Sequence, residues 1–325
     1  RAATPDGIHF AAFLQEITMK RVYAIVLGLV LSGISISGHP APVSPPPLPA
    51  LTDPATNVRI PGKFIWADYF TSDVDAAKTF YSALFGWEWR DIITAPADRY
   101  GVFYQDGIAV AGVAYKPAQD SKRPYGRWVY YASVEDVPAA VKAIEARGGS
   151  TLLPARSYAD RGAFAVVADP ESALFGVMRS SSGDPADYQS GVGQWLWVGL
   201  YATDVVAATR FYQAVFGYQV HEPEPAYGVV EYVLSREGYA RAGVLQVPPA
   251  SGAHPTWVAY VRVNDVAQST AAAIRLGGTA LIAPDAAALN GDLAVVADPF
   301  GAPIGLIRWT YPDDQAATSG SEVKR

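Results

Sequence analysis

Few side chains in this 325-residue chain could hold a metal or move a proton. His221 and His254 are the histidines of the patterned region, and neither has the second His or carboxylate at the spacing a facial triad needs. Asp68 sits in an alternating segment, Phe64 to Phe70, that reads as a strand with Phe64, Trp66, Asp68 and Phe70 on one face. Glu231 sits in a similar segment, Val229 to Leu234, and could point into a cleft; because Glu is mostly exposed, a solvated strand face is the expectation. The chain has no cysteine, which excludes disulfides, thiolate catalysis and Cys-ligated zinc. No Gly-x-Ser-x-Gly elbow and no Gly-rich phosphate loop ahead of a helix is present. What recurs instead is aromatic: Trp66, Trp128, Trp197 and Trp257, with hydroxyls from Tyr69, Tyr100, Tyr104, Tyr130 and Tyr131 nearby. Such residues line small-molecule pockets and also fill small barrels.

These residues lie in a segment written twice. Trp66-Ala67-Asp68-Tyr69-Phe70-Thr71-Ser72-Asp73-Val74 returns 131 positions later as Trp197 to Val205, and Phe80-Tyr81 to Phe85-Gly86 returns as Phe211-Tyr212 to Phe216-Gly217. Self-similarity at a fixed period constrains the architecture before any single residue is interpreted. Each copy reads as a strand, an Asp that caps a helix, a helix stopped by Gly, and three short strands. A second unit of the same plan follows each, twinned at a spacing of 129: Trp128-Val129 with Trp257-Val258, and Ala165 to Pro170 with Ala294 to Pro299. The pattern predicts an α+β protein of four βαβββ modules paired into two domains, 61–181 and 194–310, with Ser180–Gly193 as linker and 311–325 as a disordered tail.

Ahead of the repeats, Met19-Lys20-Arg21 precedes an apolar run from Val22 to Ile36 and a small-residue exit. This is the layout of a bacterial secretory signal over 19–38, with 1–18 an upstream extension and 39–60 a Pro-rich spacer of polyproline II character. Leu31-Ser32-Gly33-Ile34 has Ile where a lipoprotein box carries its lipid-bearing Cys, so a thioether-linked lipid is not supported. The expected location is exported, periplasmic or envelope-associated, touching the membrane only through an uncleaved signal. The net charge of −6 argues against nucleic acid as a partner.

The strand-Asp-helix-Phe-Tyr-x-x-x-Phe-Gly signature at Asp73/Phe80/Tyr81/Phe85/Gly86 and Asp204/Phe211/Tyr212/Phe216/Gly217, with Asp-Pro turns at Asp169 and Asp298, resembles the vicinal oxygen chelate superfamily. This is the glyoxalase/bleomycin resistance/dioxygenase group, and the likeness is narrower to its tandem-domain, mycobacterial 27-kDa-antigen type. The resemblance implies half-open barrels around clefts, and in metal-dependent members His or Glu ligands on the first and last strands of a module. Here those positions hold Trp66, Trp197, Val129, Val258, Gly176 and Gly305, which cannot ligate a cation. No cofactor is therefore expected. The reading is a metal-free protein, binding rather than catalytic, that holds a small, partly apolar molecule in a cleft drawn from Trp66, Asp68, Trp128, Trp197, Trp257 and Glu231. The alternative is a divalent-metal lyase, isomerase or dioxygenase with an atypical ligand set from Asp68, Glu231 and His221. Two like domains in one chain mimic the dimer of single-domain relatives, so a monomer acting as a pseudo-dimer is expected.

Overall fold

The computed structural model describes residues 48–118, 124–222, 231–247, 253–287 and 289–311. The signal, most of the Pro-rich spacer and the tail after 311 lie outside the described residues. Domain 1 runs β1 (Phe64–Thr71), α1 (Val74–Phe85), β2 (Glu88–Ile93), β3 (Tyr100–Gln105), β4 (Ile108–Tyr115), β5 (Gly126–Ser133), α2 (Val137–Glu145), β6 (Ser150–Tyr158), β7 (Gly162–Ala168) and β8 (Leu174–Ser180). Domain 2 repeats the order with β9 (Trp195–Ala202), α3 (Val205–Phe216), β10 (Gln219–His221), β11 (Glu231–Arg236), β12 (Tyr239–Gln246), β13 (Thr256–Arg262), α4 (Val266–Arg275), β14 (Thr279–Ile282), β15 (Leu293–Ala297) and β16 (Pro303–Ile307).

Each domain is one eight-stranded sheet, ordered β2-β3-β4-β1-β5-β8-β7-β6 and β10-β11-β12-β9-β13-β16-β15-β14. The two modules of a domain fuse where β1 meets β5, and β9 meets β13, in antiparallel pairs; β1 and β4 run parallel. All four α-helices among the described residues start on an aspartate. Asp73, Asp136, Asp204 and Asp265 accept the amides of Ala76, Ala139, Ala207 and Gln268, satisfying donors that the first helical turn leaves orphaned. α1 and α3 end at Gly86 and Gly217 in the left-handed region, where a Cβ is penalised.

Within β1 the structure departs from the strict alternation of Phe64 to Phe70. The β1–β5 register shifts between Phe64 and Trp66. The bulge turns Phe64 to the helix side, where it packs on Trp257, while Ile65, Trp66 and Phe70 stay on the inner face. β6 is also longer than its short apolar run suggested, because an edge strand with register shifts tolerates Pro154. The linker is built in rather than slack. Asp184 is fully buried and accepts from the Ile60 amide (2.6 Å) and Ser133 Oγ (2.5 Å).

One apolar core runs through both domains on the helix-bearing side, and a smaller cluster lies on the inner face of each sheet. Within the shared core, the repeated Phe-Tyr signature and the Asp-Pro turns meet across the domains. Trp128 Nε1 donates to the Tyr81 hydroxyl (2.9 Å), which donates to Asp298 Oδ2 (2.8 Å) of the other domain. Trp257 Nε1 donates likewise to Tyr212 (3.0 Å), which donates to Asp169 Oδ2 (2.9 Å). Tyr69 adds a second phenol to Asp298; its twin is Leu200, so Asp169 has no second one. The other oxygen of each carboxylate takes two amides of its own turn, from Glu171 and Ala173 and from Phe300 and Ala302. Trp128 and Trp257, expected in the clefts, are thus buried on the opposite side, because their strand faces carry them under the helices of the domain interface.

Candidate functional site

On the inner face of domain 1, two cross-strand rows lie where family ligands would stand. The first joins Gly112 of β4, Asp68 of β1 and Val129 of β5; the second joins Trp66, Tyr131 and Gly176. Asp68 is buried, and its Oδ1 accepts from Trp66 Nε1 (2.8 Å) and the Tyr100 hydroxyl (2.9 Å). Burial holds its carboxyl above the usual carboxylate range, against the pull of Arg161 and of these donors. Gly112 and Gly176 are obligatory here, since a Cβ would collide with Asp68 and Tyr100 in one case and with the Tyr131 ring in the other.

The sequence reading missed Arg161. It sits in the β6–β7 hairpin, where an exposed arginine is the ordinary outcome. Yet it is only 2% exposed, and its guanidinium lies 4.2 Å from the Trp66 ring centre. Its Nε and both terminal nitrogens have no hydrogen-bond partner, while the nearby Tyr131 hydroxyl interacts with the Asp68 carboxylate. A cation–π contact of ~2 kcal/mol does not offset a desolvation cost of several kcal/mol for a buried ion. The one sequence signal available was the break in the repeat: Asn290 occupies the twin position.

In domain 2 the equivalent rows read Gly243, Gly199 and Val258, then Trp197, Tyr260 and Gly305. The carboxylate now comes from β11. Glu231 stands at the place of Tyr100, reaches over Gly199 and Gly243, and accepts from Trp197 Nε1 (2.9 Å). The solvated-face expectation for Glu231 is therefore corrected. Two facing glycines make room for the carboxylate, and burial pushes its pKa up. Tyr201 and Tyr260 share a hydrogen bond of 2.6 Å beside it. His221 is on an edge strand and bonded to Ser235 Oγ (2.6 Å), apart from this cluster.

These residues do not fit a catalytic metal of the family's type. Each inner face offers one carboxylate already committed to an indole N–H, and among the described residues no three His, Cys, Asp or Glu converge. What the domains do form together is a groove of about 980 Å³. Its walls include Leu51, Trp66, Tyr104, Tyr130, Trp195 and Trp197, so the first-strand indoles of both domains face one space. Its polar rim carries Arg90 over the Tyr104 ring, and Lys63 and Arg241 paired to Asp187 at 2.9 and 2.7 Å.

Comparison with known proteins agrees with this construction. Residues 63–177 match the Glyoxalase/Bleomycin resistance protein/Dioxygenase superfamily, and residues 197–307 match the Glyoxalase-like domain. "Putative glyoxylase CFP32" of Mycobacterium bovis is 30% identical over 244 residues, 75% of this chain and 93% of that protein. "Anthracycline biosynthesis protein DnrV" of Streptomyces peucetius is 30% identical over 274 residues, 80% of this chain and 98% of that one. Among solved structures, the Mn(II)-bound glyoxalase from Novosphingobium aromaticivorans superposes with a TM-score of 0.50 at 15% identity, covering 77% of this chain and 83% of that chain, a likeness of fold. With its two matched domains in tandem, this chain belongs to the glyoxalase/bleomycin resistance protein/dioxygenase superfamily.

Proposed function

We propose that this chain is an exported, metal-independent binding protein that holds a planar, partly apolar small molecule in the groove between its domains. The observation that carries the reading is the groove itself: about 980 Å³, walled by indoles and phenols from both domains. Ligand pockets are commonly this large and this aromatic. Stacking between Trp66 and Trp197 suits fused rings, and a similar protein from Streptomyces peucetius carries anthracycline biosynthesis in its name. Export is supported by the basic-apolar-small order of residues 19–38. The crossed Trp–Tyr–Asp contacts support a monomer that acts as its own pseudo-dimer. A metal-dependent lyase or dioxygenase has the family behind it, but among the described residues no three His, Cys, Asp or Glu converge.

The test is titration of the purified chain with an anthracycline, followed by tryptophan fluorescence and calorimetry. Saturable binding at one molecule per chain, weakened at least roughly tenfold by W197A, is expected from losing one stacking wall. Binding that is absent, or unchanged in W197A, sinks the groove as the site.

A further inference from the structure

We propose that the inner face of domain 1 holds a second site, behind Trp66, for a small monocarboxylate with an apolar body, anchored by the Arg161 guanidinium. The site is separate from the groove, whose walls include neither Arg161 nor Asp68. Three nitrogens of a side chain that is 2% exposed have no acceptor within hydrogen-bond reach. Buried polar groups in native proteins are paired, so orphans that converge on one place mark where an outside group belongs.

The chemistry of the acceptor follows from the neighbours. A guanidinium presents parallel N–H donors that match a planar carboxylate in a fork. A single guanidinium supplies few donors for a phosphate. Asp68 attracts Arg161 electrostatically, yet no acceptor lies within hydrogen-bond reach of the guanidinium, so its donors stay free. Trp66, on which Arg161 lies, belongs to a buried apolar cluster with Phe164, Met178, Val166 and Leu48, and Leu51 packs against that cluster. They suit a hydrocarbon or aromatic body attached to the carboxylate. Domain 2 has Asn290 at the twin of Arg161 and is expected to have no such site.

The experiment uses the full chain and the matched pair benzoate and benzamide, equal in shape and unequal in charge, with inorganic phosphate as a second anion. Binding is read by calorimetry and by the shift in thermal midpoint. The expected result is saturable binding of benzoate at one per chain, none of benzamide or phosphate, and loss of at least roughly tenfold in R161M, the scale of one charge-assisted pair. Equal binding of benzoate and benzamide overturns the proposal, as does phosphate binding as well as benzoate. No benzoate binding to millimolar concentration overturns it too. Should R161M fail to fold, the benzoate–benzamide comparison on the unaltered chain decides alone. Anthracycline binding in the groove is scored separately, so either site can fail without the other.

Discussion

Where the two domains meet, Trp128, Tyr81 and Asp298 repeat as Trp257, Tyr212 and Asp169, residue for residue and bond for bond. On their inner faces the twins part. Asp68 corresponds to Gly199, Tyr100 to Glu231, and Arg161 to Asn290, while Trp66 and Trp197 keep the same task of donating to a carboxylate. The interface must satisfy two copies of one geometry, so either half constrains the other. An inner face answers only to its own contents, and the same carboxylate can be supplied from β1 or β11 as long as the facing strand gives way with glycine.

The largest effect comes from forcing the two inner faces to agree. The Cβ position of Gly199 lies 3.8 Å from Glu231 Oε1. G199D therefore places a second buried carboxylate against the first, and about 4 kcal/mol of stability is expected to be lost. E231Y alone strands the Trp197 N–H, at about 2 kcal/mol. The double variant G199D/E231Y rebuilds the arrangement of domain 1 and recovers most of both losses. Urea unfolding of the four proteins measures the coupling; strictly additive losses would mean the two faces are not built on one plan.

Next in size is the pH dependence of the interface. Burial lifts Asp169 from the ordinary 3.8 to about 6, outweighing the Ala173 and Glu171 amides and the Tyr212 phenol that favour its charge. Its folded-state pKa is raised, so its stabilising contribution is complete below about pH 4 and is lost as pH rises through 6. A shift of roughly two units corresponds to about 3 kcal/mol at most. Asp298 is pushed the same way by burial. Unfolding free energy measured at pH 4.5 and 7 should fall across that interval, and the fall should shrink in D169N; an unchanged slope in D169N assigns the dependence elsewhere.

The interface is not perfectly symmetric, and the third prediction uses this. Y212F removes the one phenol that bonds Asp169 among the described residues and strands the Trp257 N–H, at about 2 kcal/mol. Y81F strands the Trp128 N–H but leaves Asp298 its bond from Tyr69, at about 1 kcal/mol. Thermal midpoints should rank wild type above Y81F above Y212F. The reverse order would show that Tyr69 does not compensate.

The same contrast explains what the sequence could say. The repeats, the capping aspartates, the helix-stopping glycines and the turn aspartates are local or periodic signals, and they mark the modules and the domain pairing. Trp128 and Trp257 are equally periodic, yet periodicity alone left open which side of the sheet each indole takes. The bulge between Phe64 and Trp66 moves Phe64 off the face that alternation gives it and has no local signature. Glu231 reads as solvated until Gly199 and Gly243 are brought opposite it by strand pairing. Arg161 lies in a turn whose burial depends on Trp66, nearly a hundred residues earlier.

The smallest expected effect concerns the segment that covers one inner face. Thr52 ties it down twice, from its amide to Ser182 Oγ (3.1 Å) and from Oγ1 to the Ser182 carbonyl (3.0 Å). Leu48 and Leu51 pack beyond that anchor against the cluster of domain 1, whereas the inner cluster of domain 2 takes its side chains from its own strands and loop. T52A removes the hydroxyl bond, a loss of about 1 kcal/mol that falls on the segment rather than on the sheet. Hydrogen exchange should quicken at the amides of Thr52 and Asn57, which bond to Ser182 Oγ and the Ser182 carbonyl, and stay unchanged in β13 of domain 2. Because the segment packs on the cluster that holds Trp66, T52A should also speed benzoate entry in the domain 1 site. Equal quickening in both domains would mean that the anchor supports the whole molecule, and the contrast between a covered and an uncovered face would lose its basis.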